Sequence, residues 1–161
     1  MFSYTYLPSP IGSLLLAGDN CALREITFPK NGSPESPPAG GIEHASAFAE
    51  PIRQLRAYFA GDLETFDLPL APQGTPFQQK VWSELLNIPY GETISYGELA
   101  RRIRNPNASR AVGLANGSNP IPIIIPCHRV IGSNGKLTGY GGGLPIKEKL
   151  LALERRQLRL L

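Results

Sequence analysis

The sequence predicts two small domains of different class: an α/β unit over residues 1–74, built from a small antiparallel sheet and a helix, and a mostly α unit over residues 75–161. Three observations predict this. Apolar residues fall in short strand-like runs through the first half and at helical spacing through the second. Residues 68–74, LPLAPQG, form a proline- and glycine-rich joint between the two patterns. Charge divides at the same place: residues 1–74 carry four bases against eight acids, and residues 75–161 carry twelve bases against five acids.

The first half reads as strands and turns. Residues 2–7 alternate and are rich in aromatics, Ser9-Pro10-Ile11-Gly12 is turn chemistry, and residues 13–17 and 22–28 follow as short strands. Residues 30–41, KNGSPESPPAGG, are an exposed loop. A helix over 45–59 holds Pro51 in its first turn or is kinked by it, and Gly61 ends it.

The second half opens on Thr75-Pro76-Phe77-Gln78, with an N-cap Thr, Pro at the first helical position and Gln three residues after the cap. Phe77, Val81, Trp82, Leu85 and Leu86 then share one helical face. Ser95-Tyr96-Gly97-Glu98 is a second capping box and opens a short helix to about residue 103. The tight turn Asn105-Pro106-Asn107 and a third helix over 108–116 complete a pair of short helices in the basic half. That pair is either a helix-turn-helix or ordinary helix packing, and the basic charge either meets a polyanion or is a solvated surface. Residues 121–126, an apolar run broken by prolines, predict a buried extended segment that delivers Cys127-His128-Arg129. Residues 136–143 are glycine-rich and flexible, and Pro145 starts a last helix to about residue 157.

The bulk numbers exclude several classes. With 161 residues and 42% hydrophobic content the chain can bury a core. No apolar run approaches the ~20 residues of a membrane-spanning helix. The N-terminus lacks the basic start and apolar stretch of a signal peptide, and two cysteines a hundred positions apart make no disulfide scaffold, so a cytoplasmic setting is expected. No phosphate-binding loop is visible. Each thiol therefore needs its own explanation. Cys127 is either an inert buried cysteine or a nucleophile, which requires a base or positive field nearby. His128 is adjacent, but neighbouring side chains often point apart, so contact is direct or through a water.

Ile125-Pro126-Cys127-His128-Arg129-Val130 closely resembles the active-site segment of the O6-alkylguanine-DNA alkyltransferases. The resemblance runs over residues 77–154 without an obvious gap, and more weakly through the N-terminal sheet, including Ser9-Pro10-Ile11-Gly12. It implies a ribonuclease-H-like N-terminal domain and a winged-helix-like C-terminal domain. It also implies direct-reversal repair. Cys127 takes an alkyl group irreversibly from O6-alkylguanine, or O4-alkylthymine, in double-stranded DNA, once per molecule and as a monomer without cofactor.

The same resemblance assigns roles. His128 acts through a water and is oriented by Glu154. Tyr96 hydrogen-bonds the flipped guanine and helps neutralise the departing purine. Arg110 enters the base stack where the target nucleotide leaves, on a helix whose Ala108, Ser109, Ala111 and Gly113 allow close approach to the minor groove. Asn119 braces the turn before Cys127. Tyr140, Gly141 and Gly142 belong to the loop over the alkyl pocket, where Gly141 lacks the side chain many relatives carry. Backbone carbonyls at Cys127 and Val130 accept from the guanine amine. Arg101, Arg102 and Arg104 are phosphate contacts or solvated charges. Some relatives hold structural zinc in the first domain, but only Cys21 and His44 are available here, so no metal is expected. Two alternatives remain: a non-catalytic alkyl-lesion-binding protein, which shares the fold but lacks the cysteine, so that Cys127 argues against it, and a hydrolase built on Cys127, His128 and Glu154, which would turn over.

Overall fold

A computed structural model of the chain describes residues 2–19 and 22–160, the last five by backbone alone, so Cys21 lies outside the described residues. The chain forms two compact units, Met1–Pro72 and Gln73–Leu161. Among the described residues no helix is long and apolar enough to cross a membrane, and no group of three or more His, Cys, Asp or Glu is placed to hold a metal.

In the first unit, strands β1 (Ser3–Ser9), β2 (Gly12–Gly18) and β3 (Leu23–Thr27) form an antiparallel meander. A two-residue strand β4 (Ile42–Glu43) adds to β1 in parallel, giving the order β3-β2-β1-β4. The sheet is therefore not purely antiparallel. Two residues are too few to show an alternation, and β4 is recruited by main-chain bonds from Ile42 N–H to Phe2 O and from His44 N–H to Tyr4 O. β1 buries Ser3, Thr5 and Leu7 and leaves Tyr4 and Tyr6 half-buried, the period-2 alternation of a strand with one covered face. β2, paired on both sides, buries Leu14, Leu15, Leu16 and Ala17 in an unbroken run. A 3-10 turn, Ala45–Phe48, leads into helix α1 (Ala49–Phe59), with Leu55 and Tyr58 fully buried. Pro51 falls in the first turn of α1, where its missing N–H costs no helical bond.

In the second unit, helix α2 (Pro76–Leu85) opens with a complete capping box: Gln78 N–H donates to Thr75 Oγ1 at 3.1 Å and Thr75 N–H to Gln78 Oε1 at 2.8 Å. Val81, Trp82 and Leu85 are buried. Leu86, expected on that face, caps the helix where the chain turns away and is 51% exposed. A short strand β5 (Ile94–Ser95) precedes helix α3 (Tyr96–Arg102). Ser95 Oγ accepts from Glu98 N–H, but the Glu98 carboxylate pairs with Arg101 and Arg102 instead of returning to Ser95, so this box closes by half. After the 105–107 turn comes helix α4 (Ser109–Gly117). Trp82 Nε1–H donates to Ala115 O at 2.8 Å and ties α2 to α4. Strand β6 (Val130–Ile131) pairs in parallel with β5, and helix α5 (Leu144–Leu160) ends the unit.

Candidate active site

Prolines at 120, 122 and 126 predict an extended segment before Cys127, but the structure has a buried turn. With three donors missing, no ladder can run along these residues, and the remaining groups are satisfied locally. Ile125 N–H donates to Ile121 O at 3.0 Å, and Ile123 adopts φ 74°, a left-handed conformation that β-branched residues rarely take. Asn119 closes the turn: its Oδ1 accepts from Ile121 N–H at 3.0 Å and its Nδ2 donates to Ile125 O at 2.7 Å.

Cys127-His128-Arg129 follow as one buried 3-10 turn. The neighbouring side chains of Cys127 and His128 have different partners. Asn119, Tyr140 and Lys147 are the polar neighbours that act on the thiol. His128 Nε2 lies 2.7 Å from Glu154 Oε2 on α5. A carboxylate only accepts, so Nε2 carries the ring hydrogen and Nδ1 is the ring's acceptor. Nδ1 is buried and has no protein hydrogen-bond partner among the described residues. Arg129 holds Glu154 from the other side, donating Nε to Oε1 at 2.9 Å and Nη2 to Oε2 at 3.1 Å, and its Nη1 reaches Ile88 O at 2.7 Å. Lys147, fully buried on α5, donates Nζ to Val130 O at 2.7 Å and to Thr138 O at 3.0 Å. Asn116 Nδ2 donates to Cys127 O at 3.3 Å.

The α4 surface carries the other set of sequence-predicted residues. Ser109, Arg110 and Ala111 are exposed, Ala108 and Gly113 are half-buried, and Arg110 has no ion-pair partner among the described residues. The Tyr96 ring lies beside Gly113, and Tyr96 Oη accepts from Thr138 Oγ1 at 2.9 Å, which leaves the phenol hydrogen free to donate. Gly142 is half-buried in the loop before α5. Gly141 is exposed there, with room for a side chain, since a Cβ would meet Gly117 O at an ordinary contact distance.

Comparison with known proteins identifies the chain's family. Residues 76–156 match the model of the 6-O-methylguanine DNA methyltransferase DNA-binding domain, and residues 2–72 match that of the ribonuclease-like domain of the same proteins. The chain belongs to the 6-O-methylguanine DNA methyltransferase family. A relative from Methanosarcina acetivorans named methylated-DNA–protein-cysteine methyltransferase is 58% identical, over 94% of this chain and 97% of its own. The solved O6-methylguanine methyltransferase of Mycobacterium tuberculosis superposes with a TM-score of 0.90 at 51% identity, covering 99% of each chain. The same organism's OGT, solved in complex with DNA, superposes at 0.90 with 52% identity, over 96% of this chain and 94% of its own.

In this family member the buried cluster is electrostatically graded. Burial pushes the Cys127 thiol above its ordinary pKa, against the opposing pull of Asn119, Tyr140 and the Lys147 charge, so the resting group is a protonated thiol. Burial also pulls His128 down, and its bond to Glu154 only partly restores it, so the ring is neutral at pH 7 and able to accept a proton. For Glu154, burial alone would raise the pKa; the His128 and Arg129 contacts outweigh it and hold the carboxyl at about 2. Burial pulls Lys147 down, opposed by its proximity to Cys127.

Sequence reasoning missed Arg129, Lys147 and Asn116 as members of this cluster, and Leu114, which exposes 74% of its surface on α4 beside Arg110. One signal existed for Arg129, inside the Pro-Cys-His-Arg segment, and another for Lys147. Lys147 falls on the inward face of α5 with Leu150, Leu151 and Glu154, a spacing that could have flagged it.

Proposed function

We propose that this chain repairs alkylated DNA by direct reversal, with Cys127 as the acceptor of the alkyl group of O6-alkylguanine in duplex DNA. The observation that carries the reading is a buried thiol next in sequence to a histidine whose bond to Glu154 leaves one acceptor nitrogen open. One water bridging Sγ and His128 Nδ1 would carry the thiol proton to the ring. The Cys127 sulfur then attacks the alkyl carbon, the S–C bond forms as the C–O6 bond breaks, and the bonding pair leaves with the purine. The Tyr96 hydroxyl donates to a ring nitrogen as that charge develops. Lys147 and the Asn119 and Tyr140 donors stabilise the sulfur while it is anionic.

The product is a thioether, which none of these groups can hydrolyse, so each monomer acts once and needs neither metal nor cofactor. The flipped base reaches Cys127 because Arg110, on the exposed face of α4, fills its place in the stack; Ala108, Ser109, Ala111 and Gly113 keep that helix slim enough for the groove. Val130, Tyr140, Gly141 and Gly142 line the alkyl pocket, with Asn119 as structural support.

Incubation with duplex carrying O6-methylguanine labelled in the methyl group tests the reading. The label should appear on the Cys127 peptide at one equivalent per protein. Label released into solution with repeated turnover, label left on the DNA, or label on Cys21 each overturns it.

Glu154→Gln is expected to slow transfer by ~10²–10⁴-fold, the usual range for general-base assistance. Glu154 raises the His128 pKa, so its loss makes the ring a weaker base. The acid limb of the single-turnover pH–rate profile should therefore move to lower pH while the plateau falls. An unmoved profile would leave Glu154 as a packing residue.

Arg110→Ala is expected to lose transfer from duplex by ~10-fold or more, because unstacking a base costs a few kcal/mol and ~1.4 kcal/mol is tenfold in rate. Transfer from free O6-benzylguanine, which needs no flipping, should stay within about twofold of the parent. Equal losses on both substrates would assign Arg110 to the pocket or to folding.

A further inference from the structure

A cavity of about 370 Å³ lies between α2 and the end of α3, remote in sequence from the Cys127 cluster. Its charged lining is Lys80, Arg102 and Arg104 against the single carboxylate of Glu84, and Ser83 and Asn87 add a hydroxyl and an amide. Among the described residues Lys80 and Arg104 have no ion-pair partner, and Arg102 shares Glu98 with Arg101. Glu84 is turned toward Asn87, whose Nδ2 donates to it at 3.3 Å. Three cations round one concavity repel one another unless an anion sits among them. An ammonium, two guanidinium forks, a hydroxyl and an amide are the donor set that phosphate oxygens accept from.

Arg104 adds an independent observation. It closes α3 with Arg104 N–H donating to Arg101 O and Asn105 N–H to Ala100 O, both at 2.9 Å. Its φ is 62°, the left-handed conformation that glycine adopts without steric cost at this position. Glycine would make the same turn with less strain, so what the arginine supplies is its side chain, directed into the lining of the cavity. The location also fits. Arg104 stands immediately before the turn into α4, and α2 is tied to α4 through Trp82. When the second helix of such a pair occupies a groove, the first helix and the intervening turn meet the sugar-phosphate backbone.

We propose that this cavity is a phosphate-binding site for the backbone of the duplex that α4 engages. It lies outside the groove contacts of Arg110, and its cations set much of the salt dependence of binding. The inference rests on the DNA-repair reading above.

The test compares the parent with the combined Lys80→Gln, Arg102→Gln, Arg104→Gln variant, binding a long duplex between ~50 and ~200 mM salt. Removing one phosphate contact should flatten the log K–log[salt] slope by ~0.9, so a slope shallower by ~1–2 is expected, with affinity ~10-fold weaker at the low-salt end. On a duplex trimmed to the base pairs under α4, parent and variant should bind alike. Arg104→Gly separates backbone from side chain: it should raise the melting temperature and still weaken binding to the long duplex. An unchanged slope in the triple variant, or Arg104→Gly binding long duplex like the parent, overturns the proposal; an acidic protein partner at this cavity would give that unchanged slope. Transfer of label to Cys127 in the parent, scored in parallel, keeps the two readings separable, since its failure sinks the repair assignment whatever the slope does.

Discussion

Cys127→Ser is expected to bind alkylated duplex within about twofold of the parent and to transfer nothing. The substitution keeps a similar size and a polar hydrogen-bonding group among the neighbours Asn119 and Tyr140. It replaces a sulfur that can be made anionic by one proton transfer with a hydroxyl that remains protonated at neutral pH. His128, neutral and weakly basic in its buried site, cannot take a proton from so weak an acid at a useful rate. On the proposed reading, binding is carried by the exposed face of α4 and by the basic charge of residues 75–161, neither of which the substitution touches. The two proteins should therefore show the same salt dependence, as counterion release requires. Mass spectrometry of the protein after long incubation checks the chemistry, and a binding titration on the same lesion checks recognition. Alkylation of the Cys127→Ser protein at a rate near the parent's, or loss of lesion binding, would show that chemistry and recognition are not separable as described.

Arg129→Met is expected to cost about 3–5 kcal/mol of stability, the penalty for removing one partner of a buried ion pair. Glu154 is 1% exposed, and Arg129 supplies two of its hydrogen bonds while also satisfying Ile88 O. Methionine fills similar space but leaves a carboxylate in a site that water does not reach. The pH dependence separates this charge effect from a packing defect. In the parent, Glu154 has a folded pKa of about 2 against an ordinary 4.5, so its contribution is complete above pH 4.5 and is lost as pH falls toward 2. In the variant, the Arg129 contacts no longer help His128 to oppose burial, and the Glu154 pKa rises. Acid then relieves the defect, either by protonating Glu154 or by charging His128 beside it. The difference between parent and variant, read from urea denaturation, should be largest near pH 7 and shrink toward pH 4.5. A difference constant across that range would mean lost packing alone.

The parts of this molecule that are legible in its sequence are those written in local chemistry. Thr75 and Gln78 announce α2 because a capping box is complete within four residues. The Ser9–Gly12 turn announces the first hairpin for the same reason. Cys127 and His128 stand out because one short segment holds them, and adjacency along the chain is reason enough to expect their side chains to diverge. What stays illegible depends on partners distant along the chain. The Arg129–Glu154 pair spans 25 positions and the Arg129–Ile88 contact 41, and no periodicity encodes a buried polar bond of that range. Lys147 reads as a surface lysine because lysines on helices mostly are. The turn at 121–125 reads as extended because the prolines account for the missing donors without saying where Ile125 N–H goes, and Ile123 in a left-handed conformation contradicts its own preference. The short parallel strand at Ile42–Glu43 exists only because β1 offers an open edge.

A reagent spent by a single use must reach its target unspent, and the setting of Cys127 bears on that. The residue is 4% exposed and burial holds it as a thiol, whereas oxidants and small electrophiles consume thiolates at accessible sites. In the proposed mechanism, the same burial that demands help from His128 at the moment of transfer is protection for all the time before it. Each copy therefore has a long shelf life, ended by a guanine lesion delivered into the pocket rather than by passing chemistry. The number of intact copies in a cell is then a direct measure of how many lesions it can still erase before new protein must be made.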